Sequence, residues 1–495
     1  MSVASSFNRL SRAARAKSDG DKNFTFTEYL YTSDKTASMP LFDSELHIFC
    51  IPLGCETCRL LGVARVPDSP QIQLPPQPRG VKESRLPSNF IADLVIKVMY
   101  FNGAITGEGL SERTRLNWLV LETPVKFLME QKHCESTGVD ENTARDLPFS
   151  QRFTYELTAA GKDKARELIA VNQYAGPAPV PLDVYTAVAA YQARQKPTIT
   201  RDVLERALSN LVLPPSLIDN LGPGLNARQP IFLYGPPGNG KSTIASVCAK
   251  LMGGPIFIPH AIFLNGEVIR LFDPTHHHAL PISVSTPYDQ RWVLCSRPMV
   301  AVGGEMTKEA LDLAFDPHLG FYEASLQMKA NGGMFLIDDF GRQQLKPAEI
   351  LNRLIVCLET GYDLINVARV GTTVKVPFDE ILMLSTNLDP KDLMDGAFLR
   401  RIHYKVEVGN PSPEAYGEIF ARVCRELGIS FQSSALEYLI QHHYRDKGRD
   451  LHGCEPRDIL NHLRHVANYQ GVAPTLSRDL IDRAVSTYFA NLGDD

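Results

Sequence analysis

The chain has 495 residues, a net charge of −5 and 44% hydrophobic residues, and a chain of this length divides into several domains because one hydrophobic core cannot organise it. The composition is that of a globular protein, and the small negative charge gives no overall attraction to nucleic acid or to an anionic membrane. No apolar run approaches the roughly 20 residues that span a bilayer, and the odd count of nine cysteines indicates reduced thiols. We therefore predict a cytoplasmic protein that is not bound to a membrane.

The first 85 residues contain little that predicts a packed core. We expect residues 1–66 to be a disordered basic start followed by a small β-rich segment, and residues 67–85, which are rich in proline, to be a linker. Four soft side chains in this part are weighed as a zinc site, namely His47, Cys50, Cys55 and Cys58. We favour free thiols, because no second pair with matching spacing follows and Cys50 lies in an apolar run.

Residues 86–171 have the pattern of a compact α+β unit. Apolar residues recur at helical spacing between Phe90 and Val98, Thr123-Pro124 predicts a helix start, and Thr158 predicts the cap of a closing helix. Helices, a strand pair and a closing helix in this order favour a winged-helix-like domain, and the run from Tyr155 to Ala165 resembles the wing and last helix of bacterial winged-helix proteins. Residues 172–199 contain several prolines and are predicted to be a second linker.

The remaining chain changes character twice. Helical and strand patterns alternate in residues 200–410, which predicts an α/β domain with a parallel sheet. Residues 411–495 are predicted to be entirely helical, and Ser412-Pro413 opens the first of these helices.

A phosphate-binding loop follows the apolar strand 231–234. The motif is complete, with a strand before it and a helix after it, and comprises Gly235, Pro236, Pro237, Gly238, Asn239, Gly240, Lys241, Ser242 and Thr243. Its glycines allow backbone N–H groups to surround a phosphate, Lys241 supplies a cation for the β- and γ-phosphates, and the Ser242 hydroxyl can bind Mg²⁺. We therefore predict that this loop binds ATP and Mg²⁺.

A second strand, residues 334–337, ends in two acids. Asp338 is predicted to bind Mg²⁺ through water, and Asp339 to orient or deprotonate the attacking water. The AAA+ ATPases that these motifs resemble usually have glutamate at the second position, and the shorter aspartate retracts the carboxylate by about 1.5 Å. A misplacement of this size can cost about 10²-fold in rate, so we predict slow hydrolysis unless the backbone compensates.

With these two elements, residues 200–495 resemble the AAA+ family of P-loop ATPases. The resemblance implies a parallel-sheet AAA+ core at residues 200–410 and a helical lid at residues 411–495. It also implies that Asn387, after the third strand, is the sensor 1 residue that holds the attacking water, and that Arg457 is the sensor 2 residue of the lid. Arg400 or Arg401 would be the arginine finger that reaches a neighbouring subunit, so a homo-oligomer is expected, with six subunits the usual number.

Two segments depart from the usual family pattern. The distance in sequence from Lys241 to Asp338 is long, and the β-like stretch 281–304 suggests an insertion within it. Residues 365–376 alternate around Gly371 and predict a β-hairpin, and several AAA+ clades carry such a hairpin into their central pore.

The sequence leaves three functions open. The ATPase could remodel a protein client delivered by the winged helix, act as a switch on DNA, or assemble as a scaffold that hardly hydrolyses ATP. Residues 86–171 contain 10 Lys and Arg against 12 Asp and Glu, a poor composition for binding phosphates. We therefore favour a protein client or adaptor over DNA.

Overall fold

The computed structural model describes residues 74–139, 147–195, 197–282, 287–393 and 396–489. The predicted β-rich segment and the weighed zinc ligands lie outside these residues. Within them, no helix combines the length and the apolar character needed to cross a membrane.

The first described unit, residues 81–171, mixes helices and strands and is called the N-terminal unit below. Its elements are α1 (Val81–Ser84), α2 (Ser88–Asn102), β1 (Ile105–Thr106), α3 (Gly107–Thr114), α4 (Trp118–Glu130), β2 (Cys134–Val139), β3 (Phe153–Leu157) and α5 (Ala159–Val171). The strands form an antiparallel sheet of order β1-β3-β2. The helices pack around buried side chains such as Ile91 and Leu121.

The helix starts of this unit follow the available caps. Thr158 caps α5 as predicted, because its hydroxyl accepts a hydrogen bond from the Gly161 N–H. The predicted helix start at Thr123-Pro124 is wrong. Asn117 caps α4 instead, and Pro124 lies inside the helix, where burial of Trp118 and its neighbours stabilises the earlier turns.

The two predicted linkers are partly ordered in contact with the rest of the chain. Residues 172–199 contain β4 (Val180–Pro181) and helix α6 (Leu182–Arg194), so the linker prediction is wrong there. The cause is burial, since the Tyr185 ring of α6 is enclosed and its hydroxyl accepts a hydrogen bond from Asn331. The first linker is held through Ser84 of α1, whose carbonyl oxygen accepts a hydrogen bond from the Arg291 guanidinium. That guanidinium also pairs with Asp289.

The central domain contains most of the strands. Its elements up to the second acid pair are α7 (Arg201–Ala207), α8 (Pro215–Ala227), β5 (Ile231–Tyr234), α9 (Lys241–Lys250), β6 (Ile256–Pro259), β7 (Ala261–Leu264), β8 (Glu267–Arg270), β9 (Trp292–Cys295), β10 (Met299–Val302), β11 (Ala314–Asp316), β12 (Phe321–Glu323), α10 (Leu326–Ala330) and β13 (Met334–Ile337). It continues with α11 (Pro347–Thr360), β14 (Tyr362–Val367), β15 (Thr372–Pro377), β16 (Ile381–Thr386), α12 (Pro390–Leu393), α13 (Gly396–Arg401) and β17 (Tyr404–Glu407).

Five of these strands form the predicted parallel sheet. Their order is β10-β13-β16-β5-β17, and every neighbouring pair is parallel. The three inner strands, β13, β16 and β5, are apolar along almost their whole length because helices and loops cover both faces. Their carboxyl ends therefore lie along one edge, where the loop after β5 meets the residues that follow β13 and β16.

A second five-stranded sheet, of order β11-β12-β8-β7-β4, lies outside the core sheet. It shows that the predicted insertion at 281–304 was misplaced, because β10 belongs to the core sheet while β7, β8, β11 and β12 supply the insertion. The N-terminal unit packs against this second sheet, with the Phe90 and Phe263 rings 4.7 Å apart. The Gln173 N–H also donates to the Leu319 carbonyl oxygen at 2.8 Å.

The predicted β-hairpin is confirmed, since β14 and β15 pair antiparallel around Gly371. Its inner face is buried through Ile365, Val367 and Val376 in the same apolar cluster as the second sheet. The tip is held as well, because the Arg369 N–H donates to the Tyr322 hydroxyl at 3.0 Å. The hairpin is therefore packed against the protein's own sheet.

The last part is helical, as predicted. It contains α14 (Pro413–Leu427), α15 (Ser433–Leu439), a π-helical turn at Ile440–Tyr444, α16 (Glu455–Gln470) and α17 (Arg478–Tyr488). Ser412 caps α14 through the Ala415 N–H, which agrees with the predicted start. The helices enclose a separate apolar cluster that includes Phe420, Leu460 and Ile481.

Candidate nucleotide-binding site

The loop after β5 has the backbone conformation of a phosphate cradle. Gly235, Gly238 and Gly240 have φ angles of 135°, 77° and 86°, which residues with side chains rarely adopt. Gly240 directly precedes α9, whose positive N-terminal end points into the loop. The loop therefore combines exposed N–H groups with a helix end at one position.

Lys241 lies within the loop it is predicted to serve. Its Nζ donates to the carbonyl oxygens of Gly235 and Pro236, both at 2.8 Å, and the residue is only 7% exposed. Burial lowers the pKa of the Lys241 ammonium, and the nearby charges of Asp338 and Asp339 oppose this shift. The ammonium is thus held over the loop, within reach of a phosphate that displaces one carbonyl contact.

Ser242 and Asp338 meet although they are far apart in sequence. The Ser242 hydroxyl donates to Asp338 Oδ2 at 2.6 Å, because β13 ends beside the first turn of α9. The backbone fixes the position of Asp338, whose N–H donates to the Val302 carbonyl oxygen of the edge strand β10. A hydroxyl beside a carboxylate fits Mg²⁺, which prefers oxygen ligands and completes its coordination with water and phosphate oxygens.

Asp339 turns away from the strand direction. Its φ is 49°, in the left-handed region, and its Oδ1 accepts a hydrogen bond from Asn387 Nδ2 at 3.1 Å. Gln343 holds this turn by donating to the carbonyl oxygens of both Asp338 and Asp339. The carboxylate of Asp339 and the amide of Asn387, the predicted sensor, are therefore paired with each other.

A cavity of about 850 Å³ lies over this constellation. Its walls include most of the predicted site, namely Pro237, Gly238, Asn239, Gly240, Lys241, Ser242, Thr243, Asp338, Asp339, Asn387 and Arg457. The lid closes one side, because the Cys454 N–H donates to the Gly238 carbonyl oxygen and the Gly453 N–H to Asn239 Oδ1, both at 2.8 Å. The site is thus built from both domains.

The predicted arginines occupy different places. Arg457 lines the cavity and pairs with Glu426 at 2.7 Å. Arg400 and Arg401 lie on α13 outside the cavity walls, and Arg401 pairs with Glu359 on α11. Within one chain, therefore, only the sensor 2 candidate faces the loop.

The sequence reasoning missed one wall of the cavity. This wall is largely apolar and includes Leu211, Val212, Leu213, Ile419 and Val423. It faces the loop from the segment between α7 and α8 and from the inner side of α14. A flat aromatic base fits such a wall. The residues of the wall could not be recognised from the sequence, because they resemble ordinary core positions and carry no motif.

Comparisons with known proteins cover parts of the chain. Residues 412–487 match a family described as a domain of unknown function, DUF8689. A vesicle-fusing ATPase of Dictyostelium discoideum is 41% identical over 54 residues, which span 11% of this chain and 7% of that protein.

Two solved structures illustrate the structural comparison. NtrX from Brucella abortus in complex with ATP is 15% identical, with 55% of each chain covered and a TM-score of 0.35. A RuvB mutant of Thermotoga maritima is 14% identical, with 56% of this chain and 70% of that chain covered and a TM-score of 0.33. Scores this low leave the assignment to the geometry of the chain itself.

That geometry is specific. The glycine loop begins α9, Ser242 contacts Asp338, Asp339 contacts Asn387, and a helical lid supplies an arginine to the same cavity. The strand that leads to Asn387 lies between the strands that lead to the loop and to the acids, which places the three groups side by side. This arrangement agrees with the resemblance to the AAA+ family of P-loop ATPases that the sequence motifs indicate, and it forms a candidate site for a nucleoside triphosphate.

Proposed function

We propose that the chain binds ATP with Mg²⁺ and hydrolyses it to ADP and phosphate. The observation that carries this proposal is the contact of Ser242 with Asp338 beside Lys241, under a cavity closed by the lid. Lys241 would contact the β- and γ-phosphates, and the apolar wall would receive the adenine. Ser242 and water bound to Asp338 would hold Mg²⁺, which would neutralise part of the phosphate charge.

The remaining residues suit an in-line attack by water. Asn387 and Asp339 would hold the water, whose oxygen bonds to the γ-phosphorus while the bond to the bridging oxygen of the β-phosphate breaks. The water proton passes to the Asp339 carboxylate or to the phosphate. Because the left-handed turn at Asp339 directs its carboxylate towards Asn387, the backbone partly offsets the shorter side chain. We still expect slow turnover.

We further propose that the chain acts as a homo-oligomer, with a hexameric ring as the expected form. Arg400 and Arg401 lie outside the cavity of their own chain, as an arginine finger acting on a neighbour would. Arg401 already pairs with Glu359, so Arg400, which is exposed, is the better candidate for the finger. A planar guanidinium there would stabilise charge on the γ-phosphate of the neighbour.

The client is proposed to be a protein, bound through residues 86–171, which we interpret as a winged-helix-like domain. Its helix α4 exposes apolar side chains, with Leu119 52% and Phe127 50% exposed. The Lys126 ammonium on the same helix pairs with Glu122 at 3.0 Å, which leaves little free positive charge for phosphates. Exposed aromatic and aliphatic groups are typical of protein interfaces.

A scaffold with slow hydrolysis is the second candidate. The packed hairpin favours it, since a tip held by Tyr322 would have to be released before it could contact a chain in a central pore. ATP would then drive assembly, and Asp339 would keep the assembled state long-lived.

Nucleotide binding and phosphate release by the full chain test the ATPase proposal. Lys241→Ala is expected to abolish both, whereas Lys250→Ala is expected to change neither, because Lys250 is exposed at the other end of the same helix. Equal ATP binding by wild type and Lys241→Ala would refute the proposal.

Particle mass with and without ATP separates the two candidates. Assembly with almost no phosphate release would select the scaffold, and release stimulated by a protein would select remodelling. Salt-dependent binding of the full chain to duplex DNA, with release stimulated by DNA, would replace the protein client with the DNA switch.

A further inference from the structure

A chain of buried hydroxyl groups runs through the lid to the first residue of α16. The hydroxyls of Tyr416 and Tyr444 are 2.8 Å apart, and the Tyr444 hydroxyl donates to Glu455 Oε2 at 2.8 Å. Because the Tyr444 proton goes to the carboxylate, Tyr416 must be the donor to Tyr444. All three residues are at most 5% exposed, so water does not compete for these hydrogen bonds.

The backbone that leads to Tyr444 is irregular. The π-helical turn Ile440–Tyr444 ends at Tyr444, and single π-turns often occur at functional sites. The Arg449 N–H then donates to the Tyr444 carbonyl oxygen at 3.0 Å. The turn thus fixes both the tyrosine side chain and the start of the segment that reaches the glycine loop.

Glu455 also closes the segment that touches the glycine loop. Its carboxylate accepts the His452 N–H at 2.9 Å, and its second oxygen is 3.1 Å from His452 Nδ1. Gly453 and Cys454 lie between these two residues, and their N–H groups donate to Asn239 and Gly238. Residues 452–455 therefore form a turn that the Glu455 carboxylate closes by bonding to His452. The two hydrogen bonds to the glycine loop come from the middle of this turn.

Arg457 follows in the first turn of the same helix. It lines the nucleotide cavity, so its position depends on where α16 begins. We infer that Glu455, held by Tyr444, is a positioning residue that fixes turn 452–455 on the glycine loop and thereby directs Arg457 to the nucleotide. This inference rests on the proposed function, because it takes Arg457 to contact bound ATP.

The decisive variant is Tyr444→Phe, which removes one hydroxyl and leaves the ring in place. Tyr438→Phe is the matched control, because its hydroxyl also bonds a carboxylate in the lid, Asp482, at 3.0 Å, but lies outside turn 452–455 and its partners. We expect Tyr444→Phe to weaken binding of a non-hydrolysable ATP analogue with Mg²⁺ about tenfold, the usual effect of losing one hydrogen bond to a charged group. Tyr438→Phe should stay within about twofold.

A double-mutant cycle separates positioning from general stability of the lid. If Tyr444 acts through Arg457, then Tyr444→Phe combined with Arg457→Ala should bind the analogue no more weakly than Arg457→Ala alone. Effects that multiply in the double variant would overturn the inference, as would equal binding by Tyr444→Phe and Tyr438→Phe. Thermal midpoints of all variants are measured alongside, and Glu455→Gln replaces Tyr444→Phe in the cycle if the latter does not fold.

The outcomes also distinguish this inference from the proposed function. If wild type and Lys241→Ala bind the analogue equally, both fail together. If only wild type binds, and Tyr444→Phe behaves as its control does, the proposed function stands and the positioning role of Glu455 is refuted.

Discussion

Gly238→Ala is the substitution that most directly tests whether the lid must rest on the glycine loop. A Cβ added at Gly238 would lie 2.6 Å from Cys454 Sγ but 3.7 Å from Cys454 Cβ. The first distance is a clash and the second an ordinary contact. The position also has a φ of 77°, which costs alanine about 1–2 kcal/mol relative to glycine.

The two costs can be separated. Relieving the clash requires the Cys454 side chain to rotate or the turn to move, and overpacking of this kind costs about 1–3 kcal/mol. If the lid must be in place for nucleotide to stay bound, the clash alone corresponds to about 5- to 150-fold weaker binding. The backbone cost adds to this in the single variant.

Cys454→Ala should relieve the clash without changing any residue of the phosphate-binding loop. It removes Sγ and leaves Cβ at its ordinary distance, so the double variant Gly238→Ala/Cys454→Ala should bind the ATP analogue better than Gly238→Ala by the factor that the clash contributes. Cys454→Ala alone serves as control. Equal binding by the single and double variants would show that Gly238→Ala acts on the phosphate cradle itself, and the reasoning about the lid would be wrong.

Three further predictions concern other parts of the chain. Burial raises the pKa of Glu380 well above its ordinary 4.5, so the folded protein keeps a proton that the unfolded chain releases, and the protein loses stability as the pH rises from about 5. The thermal midpoint of Glu380→Gln, measured relative to that of wild type, should therefore increase between pH 5 and pH 8. A constant difference between the two midpoints would contradict this. Arg291→Lys keeps the positive charge but cannot form the two-pronged contact with the buried Asp289. Unfolding should therefore become easier by about 1.5–3 kcal/mol, seen as a lower midpoint, and an unchanged midpoint would refute the role of this pair. Asp339→Glu should retain or raise phosphate release, and complete loss would mean that Asp339 has a role other than handling water.

The candidate site at the edge of the parallel sheet could be predicted because its signals are local. A glycine loop, an acid pair after an apolar strand and an amide after the next strand each occupy a few consecutive residues, and parallel strands bring such ends together. The lid contacts could not be predicted, because Gly453 and Asn239 are separated by 214 positions and a bare glycine N–H carries no signal.

The linkers failed for a related reason. Proline-rich composition predicted that residues 172–199 lack packing of their own, yet α6 folds because Tyr185 and its neighbours are buried against the second sheet. That sheet is assembled from strands before and after β10, so no single stretch of the sequence predicts it. Composition describes what a segment can do alone, and here the outcome depends on distant partners.

The second sheet links the proposed client-binding unit to the catalytic edge. Phe321 of β12 belongs to the apolar cluster of the N-terminal unit, and β12 leads through α10 into β13, which ends just before Asp338. On the other side, the hairpin packed on this sheet leads directly into β16, which ends before Asn387. Since the proposed metal-binding acid Asp338 and the proposed water-holding amide Asn387 each follow a segment anchored in the second sheet, force on the N-terminal unit would act on the spacing between them. The lid has its own core, and it contacts the glycine loop through the N–H groups of Gly453 and Cys454, which donate to Asn239 Oδ1 and to the Gly238 carbonyl oxygen.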